Sequence, residues 1–337
     1  MRRQIRQYAA RVGVDARLIQ GAGGNLSWKE VDSLWIKASG TWLANALERE
    51  VFVEVSLSEA RVCARNGGDS YAECVKSGLD LRPSIETALH VLLPQRVVFH
   101  CHAVDVVARS VRVGGRLDLL ERLDGLPWVW VEYAKPGPRL AAAVRSKVEG
   151  AIGSIPSILV LANHGLVVAG DSLDEADAFL MEVMRRTALA SRPVSGLHDS
   201  SPLEARWLRH GYRLPIDCAV HSLATDPISI ELVRKRWVLY PDHAVFLGTT
   251  AAVCEAGVVP EEFLERHASH PVCVIVPGEG VLVSSACSKG QEAMLECYAA
   301  VTRCLPSSKE VVGLSRDQVS ELIDWEAENY RRNMSFR

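Results

Sequence analysis

The 337-residue chain contains no apolar run of transmembrane length, no apolar stretch within its charged N-terminus and no long run of like charge. The first absence argues against a spanning helix, which needs about 20 mostly apolar residues. The second makes "MRRQIRQYAARVGVDARLI" a poor secretory signal. Its Ile5, Tyr8, Ala9 and Val12 recur instead at the spacing of an amphipathic helix, expected to end near residue 20. A cytoplasmic protein is the resulting expectation. The third absence, with a formal net charge of −3, leaves no electrostatic footprint for nucleic acid or an acidic membrane surface. The nine cysteines include no C-x-x-C pair and read as reduced, small buried hydrophobes. No G-x-G-x-x-G occurs either, and "GAGGN" (21–25) precedes its strand rather than following one, so a dinucleotide site is not indicated.

What is present is ordinary globular composition, 48% hydrophobic and 23% charged, long enough for two domains or one large one. The pattern predicts a short strand after the glycine turn of "GAGGN", strands near 34–37, 97–102 and 128–133, and helices over 56–66 (capped by Ser56 or Ser58) and 103–111. A further helix enters after Pro83, with Ser84 at or near its N-cap. "SILVLANHGLVVAG" (157–170) reads as strand, tight turn, strand, followed by a long amphipathic helix. "SRPVSGLHDSSP" (191–202) is the best linker, dividing residues 1–195 from a smaller α/β domain over 203–337. Segments of the second part echo the first. "RPSIETALHVLLPQRVVFHCH" (82–102) matches "DPISIELVRKRWVLYPDHAVFLGT" (226–249), and 157–187 matches "VCVIVPGEGVLVSSACSKGQEAMLECYAAVTR" (272–303). Either the second part is a degenerate repeat, or strand–turn–strand–helix units resemble one another by chance.

The chemistry centres on "VVFHCHAVDVV" (97–107). Side chains alternate across a strand, so His100 and His102 share a face while Cys101 points away. A catalytic metal site takes three protein ligands and leaves one position open. His164, in the turn of "NHGLVV" beside the permissive Gly165, is the candidate third ligand. Three imidazoles suit zinc, with cobalt, nickel and manganese as other choices. Glu86 is placed to supply a proton acceptor and donor. At the matching positions the second part has Leu247, Thr249 and Glu279, so any metal chemistry is expected in the first part. Taken singly, His164 also suits a plain turn, Glu86 a solvated helix start, and "GGNLS" (23–27) a hairpin turn.

Together "GGNLS", "KASG" (37–40), "RPSIETALH" (82–90), "HCH" (100–102) and "NHGLVVAG" (163–170) resemble, in that order, the class II aldolase/adducin family. The likeness covers roughly residues 1–190 and is to its zinc-dependent fuculose- and rhamnulose-1-phosphate aldolases. The second part looks like the segment joining aldolase to dehydrogenase in bifunctional relatives, here without the dehydrogenase. The resemblance implies a three-layer αβα domain with a central, mainly antiparallel sheet, zinc on His100, His102 and His164, and Glu86 at the acid/base position. It places Gly24, Asn25, Ser39, Gly40 and Ser84 at the substrate phosphate, and implies a homo-oligomer, a tetramer by preference, acting on a sugar or sugar phosphate. The implied reaction is retro-aldol cleavage through a metal-stabilised enediolate. Alternatives on the same scaffold are decarboxylation of a 3-oxo acid, epimerisation (whose enzymes carry Asp where Glu86 stands) and a non-catalytic adducin-like binding module. Ile85 replaces a hydroxyl found in family aldolases. "VEYAKPGPRLA" offers Tyr133 as proton donor, with Lys135 and Arg139 as further anion contacts.

Overall fold

A computed structural model describes residues 1–334 except 77, 79–80, 152–154, 195–199, 268–269 and 324. The first part builds one seven-stranded sheet from β1 (Asn25–Glu30), β2 (Ser33–Lys37), β3 (Phe52–Ser56), β4 (Val97–Cys101), β5 (Trp128–Val131), β6 (Ile158–Leu161) and β7 (Gly165–Gly170). Their order is β3-β2-β1-β4-β7-β6-β5, and every pairing is antiparallel except β5 with β6. The helices are α1 (Arg2–Gly13), α2 (Leu57–Arg65), α3 (Thr87–Leu92), α4 (Val104–Ser110), α5 (Gly115–Arg122), α6 (Pro138–Glu149) and α7 (Leu173–Thr187).

The alternation along β4 sets the layers. Val97, Phe99 and Cys101 enter a core shared with Ile5, Tyr8, Ala9 and Val12 of α1 and Leu180 and Val183 of α7. Val98 faces the other way, with Leu89 of α3 and Leu140 and Val144 of α6. Fully buried central strands β4, β7 and β6 with helices on both faces give the expected three-layer αβα architecture. His100 lies on the α3 side, opposite Cys101, whose thiol burial pushes up to about 12. Ser56 caps α2, accepting from Glu59 N at 3.4 Å.

Two helix limits differ from expectation. α1 stops at Gly13, not near residue 20, because Asp15 O accepts from Leu18 N and Ile19 N and turns the chain. α3 is regular only from Thr87, with Glu86 in the N-cap position. Ser84 instead holds the turn before it, its Oγ accepting from Glu86 N at 3.2 Å and its carbonyl from Thr87 N at 3.0 Å.

The second part contains α8 (Ser201–Trp207), α9 (Ser222–Thr225), α10 (Pro227–Lys235), α11 (Pro241–Leu247), α12 (Pro260–Glu265), α13 (Lys289–Arg303), α14 (Arg316–Ile323) and α15 (Glu326–Met334). They surround a sheet of order β8-β10-β9, formed by β8 (Tyr212–Arg213), β9 (Cys273–Val276) and β10 (Gly280–Ser284). The internal likeness holds for one unit: β9–turn–β10–α13 has the form of β6–turn–β7–α7. It fails for the other, since the counterpart of strand β4 is helix α11. Pro241 at its first turn, after extended Tyr240, presets the helical φ, and all seven residues are buried, so no two-residue alternation is imposed.

The two parts share packing. Val104, Val107, Ala108 and Val111, in and just after α4, lie in the same apolar cluster as Tyr240, Val245 and Leu295. Of the expected linker, 195–199 lie outside the described residues, but Arg192 is anchored, bonding Asp226 Oδ2 through Nε at 3.0 Å and Thr302 O through Nη2 at 3.0 Å. Among the described residues no helix is long and apolar enough to cross a membrane.

The register of β4 against β7 depends on Gly165, where an added Cβ would lie 2.4 Å from Cys101 O. Gly165→Ala is expected to destabilise the protein by about 1–3 kcal/mol by forcing the strands apart, read from urea unfolding midpoints.

Candidate metal centre

His100 sits in β4 and His102 just beyond it, while His164 ends the turn between β6 and β7. Gly24, at φ +62°, brings the preceding loop against β4; a Cβ there would lie 2.8 Å from His100 O. On the other side Asn163 takes φ +52° and donates to Leu239 O at 3.0 Å and Val312 O at 2.7 Å, tying the His164 turn to the second part. The three imidazoles are buried, their ring centroids 4.9–5.3 Å apart, and each offers a ligand atom within 4.8 Å of the others.

The hydrogen bonds assign the ring protons. His100 Nδ1 lies 3.0 Å from Leu166 O; a carbonyl only accepts, so Nδ1 carries the proton and Nε2 a lone pair. His102 Nδ1 lies 3.3 Å from the Asp242 carboxylate, at ion-pair distance though not aligned as a hydrogen bond. A proton on Nδ1 is therefore favoured, which leaves Nε2 bare, 3.2 Å from His100 Nε2. Burial, reinforced by His100, holds His102 and His164 down to about 3, with Asp242 and Glu86 respectively opposing it. Both rings are thus neutral at pH 7.

Glu86 completes the cluster. Oε2 accepts from Asn25 Nδ2 at 2.7 Å and lies 3.4 Å from His100 Nε2. Oε1 lies 3.5 Å from His164 Nε2 and is buried without a hydrogen-bond partner, as is His164 Nδ1. The bare Nε2 atoms of His100 and His102, 3.2 Å apart with the Glu86 carboxylate beside them, repel unless a cation lies among them. The donor set of three imidazoles fits a divalent transition metal, and zinc is among the ions it suits.

Beside the histidines lies a pocket of about 10 Å³ lined by Ala22, Gly24, Asn25, Lys37, Ser39, Gly40, Ser84, Ile85, Glu86 and Arg331. All five residues expected at an anion thus gather there. Asn25 is engaged with Glu86, whereas Ser39 Oγ is buried and unpartnered. The volume holds about one water. A cavity of about 450 Å³ shares Ser39, Ser84 and Ile85 with it, and is otherwise walled by Arg82, Tyr71 and, from the C-terminal end, Trp325 and Tyr330. That is the size of a small-molecule site.

Three residues escaped the sequence reading. Lys37, inside the quoted "KASG", donates to Ala22 O at 2.9 Å, and burial next to Arg331 lowers it to about 7. Asp242 and Arg331 come from the second part, which had been expected to stand apart from any metal chemistry. Arg331 of α15 grips Asp242 through both guanidinium nitrogens, one at 2.7 Å, and also bonds Glu328. The Arg331 contact holds Asp242 well below the usual carboxylate range against the effect of burial. No signal in the sequence pairs residues so far apart. The other expected contacts are occupied or displaced. Tyr133 packs against the α1–α7 core and does not line the small pocket, Lys135 stacks over Trp325 at 4.8 Å, and Arg139 pairs with Glu321 at 2.7 Å.

Residues 3–190 match the Class II Aldolase and Adducin N-terminal domain family. The chain belongs to the class II aldolase/adducin family. A curated relative, the Bacillus subtilis (strain 168) protein named "Uncharacterized oxidoreductase YuxG", is 29% identical over 178 residues, 48% of this chain. The aligned part spans only 25% of that relative's length. Among solved structures, the N-terminal class II aldolase domain of a conserved Thermoplasma acidophilum protein is 25% identical, covering 53% of this chain and 89% of that one at a TM-score of 0.46. An L-fuculose-1-phosphate aldolase from Thermus thermophilus is 21% identical, covering 56% and 91%, at a TM-score of 0.35. Membership of a class II aldolase family makes a divalent metal the general expectation for the histidine cluster.

Two outcomes follow for this centre. His102→Ala and His164→Ala should each abolish stoichiometric metal retention after dialysis, measured by elemental analysis. In the metal-free protein, His102, His164 and His243 are each held down to about 3 by burial. Unfolded histidines titrate near 6.5, so between about pH 3 and 6.5 the unfolded chain binds more protons. Stability should therefore fall as pH drops below about 6.5, by up to about 1.4 kcal/mol per unit per histidine, seen in urea midpoints at pH 7.5, 6.5 and 5.5.

Proposed function

We propose that the protein is a metal-dependent carbon–carbon lyase that cleaves a ketose or ketose phosphate by retro-aldol reaction, with His100, His102 and His164 holding the metal and Glu86 moving the proton. The observation that carries this reading is the Glu86 carboxylate, with one oxygen pinned and the other free beside three imidazoles. A divalent cation held there supplies a Lewis acid for the negative charge that develops on the substrate's oxygens.

The protein's own groups do the rest. Asn25 fixes Oε2, so Oε1 is the oxygen that takes or returns a proton at the carbon left with the electron pair of the broken bond. Burial of the whole cluster keeps solvent from protonating that carbon out of turn. Ser39 and Ser84, which line both the small pocket and the larger cavity, meet the substrate's anionic group first; Gly24, Gly40 and Lys37 reach it only as the one-water pocket widens to admit it. Asn25 contributes to that group only by exchanging its bond to Glu86. The same reading takes zinc as the metal, a sugar phosphate as the ligand and a homo-oligomer as the assembly.

A second reading is favoured by Ile85, which lines the pocket and leaves it one hydroxyl poorer, and by two buried cations that suit a carboxylate as well as a phosphate. It is decarboxylation of a 3-oxo acid, where loss of carbon dioxide leaves the same kind of charge. A panel of ketose 1-phosphates, unphosphorylated ketoses and 3-oxo acids decides between them: released aldehyde supports the lyase proposed first, released carbon dioxide the second, and turnover of none removes both. Under either, Glu86→Gln should retain metal by elemental analysis and lower kcat by at least about 100-fold, the usual contribution of a positioned acid/base group.

A further inference from the structure

Among the described residues, Asp242 is the one carboxylate of the second part paired with a histidine of the cluster. Its Oδ2 lies 3.3 Å from His102 Nδ1, the nitrogen on the side of the ring away from His100 Nε2. It does not belong to the group of side chains able to share one ion, which comprises only the three histidines among the described residues. Both partners are almost fully buried, at 3% exposure each. Such a position is not one a carboxylate occupies without compensation, because burying an unpaired charge is costly. The compensation is Arg331, itself buried, which grips Asp242 in a two-pronged contact and bonds Glu328 as well. The orphaned Nδ1 of His102 thus lies at ion-pair distance from an ionised carboxylate that is locked in place from its far side.

We infer that Asp242 is a positioning residue for the metal centre: it fixes the His102 tautomer and ring orientation, and Arg331 of α15 fixes Asp242. The inference rests on the histidine cluster being a metal site. A ligating imidazole that donates its other N–H to a carboxylate is held in one orientation and made more basic, and loss of such a partner weakens metal binding about 10- to 100-fold. The second part therefore acts on the metal ligand through a chain of two contacts, Arg331 to Asp242 to His102. Asp242→Asn keeps the shape and removes the charge. Because it leaves Arg331 with Glu328 alone, a charge-balanced double variant, Asp242→Asn/Arg331→Met, accompanies it.

Full-length wild type and both variants, freed of metal, are titrated with zinc against a chromophoric chelator at pH 7.5, and with cobalt to record the d–d spectrum. Unfolding of the metal-free proteins is followed by circular dichroism. The expected result is zinc affinity lowered about 10- to 100-fold in both variants, with an altered cobalt spectrum and a metal-free fold like that of wild type. Wild-type affinity in a folded variant overturns the inference. So does affinity lost only in step with lost structure in both variants, since that makes Asp242 merely structural. Failure of wild type itself to bind either metal overturns the underlying metal reading, and this inference with it.

Discussion

Lone pairs that meet without a donor are the constraint around which this molecule is arranged. His100 and His102 bring bare nitrogens to 3.2 Å, and Glu86 adds carboxylate oxygens 3.4 and 3.5 Å from His100 and His164. In water such groups would turn outward and hydrate. Here His100 is held from behind by Leu166 O and Glu86 by Asn25, and Asp242 lies 3.3 Å behind His102. The surroundings over-determine a cluster that is unfavourable by itself, which is how functional sites store strain. A cation converts that cost into binding free energy, so metal affinity and folding stability are linked.

The architecture serves this arrangement in three ways. The central sheet places β4 between β1 and β7, so both its edges are paired, and its histidine face is buried. Gly24 and Gly165 let two loops approach the backbone of β4 more closely than any side chain would permit. The second part closes the remaining side: Asn163 ties the His164 turn to it, α15 lays Met334 over Gly40, and Arg331 enters the small pocket. Part of the pocket wall and a carboxylate beside one histidine thus come from beyond the family domain.

Much of the site was legible because its residues obey local rules. His100 and His102 share a face through the two-residue period of a strand, and the glycines and serines fall in turns whose chemistry is short-range. Where local rules compete, reading was weaker. Residues 241–247 carry the same apolar look as strand 97–101 but begin with proline and are buried all round, so they form a helix. Lys37 shows in its strand as a charge among apolar neighbours, yet only the fold reveals that it is buried, lining the small pocket and donating to Ala22 O rather than facing solvent.

By itself, then, the chain's pattern put His100 and His102 on one strand face and His164 in a turn, since periodicity and turn residues act over a few positions, while the αβα layering and the part given to Glu86 came from the family resemblance. Tertiary structure alone decided that Asn25 binds Glu86, that Lys135 and Arg139 turn to the C-terminal helices, and that Asp242 and Arg331 stand behind His102. The physical reason is that a buried charge is tolerated only where a partner is delivered to it, and that delivery depends on how two parts of the chain pack, which no local pattern encodes.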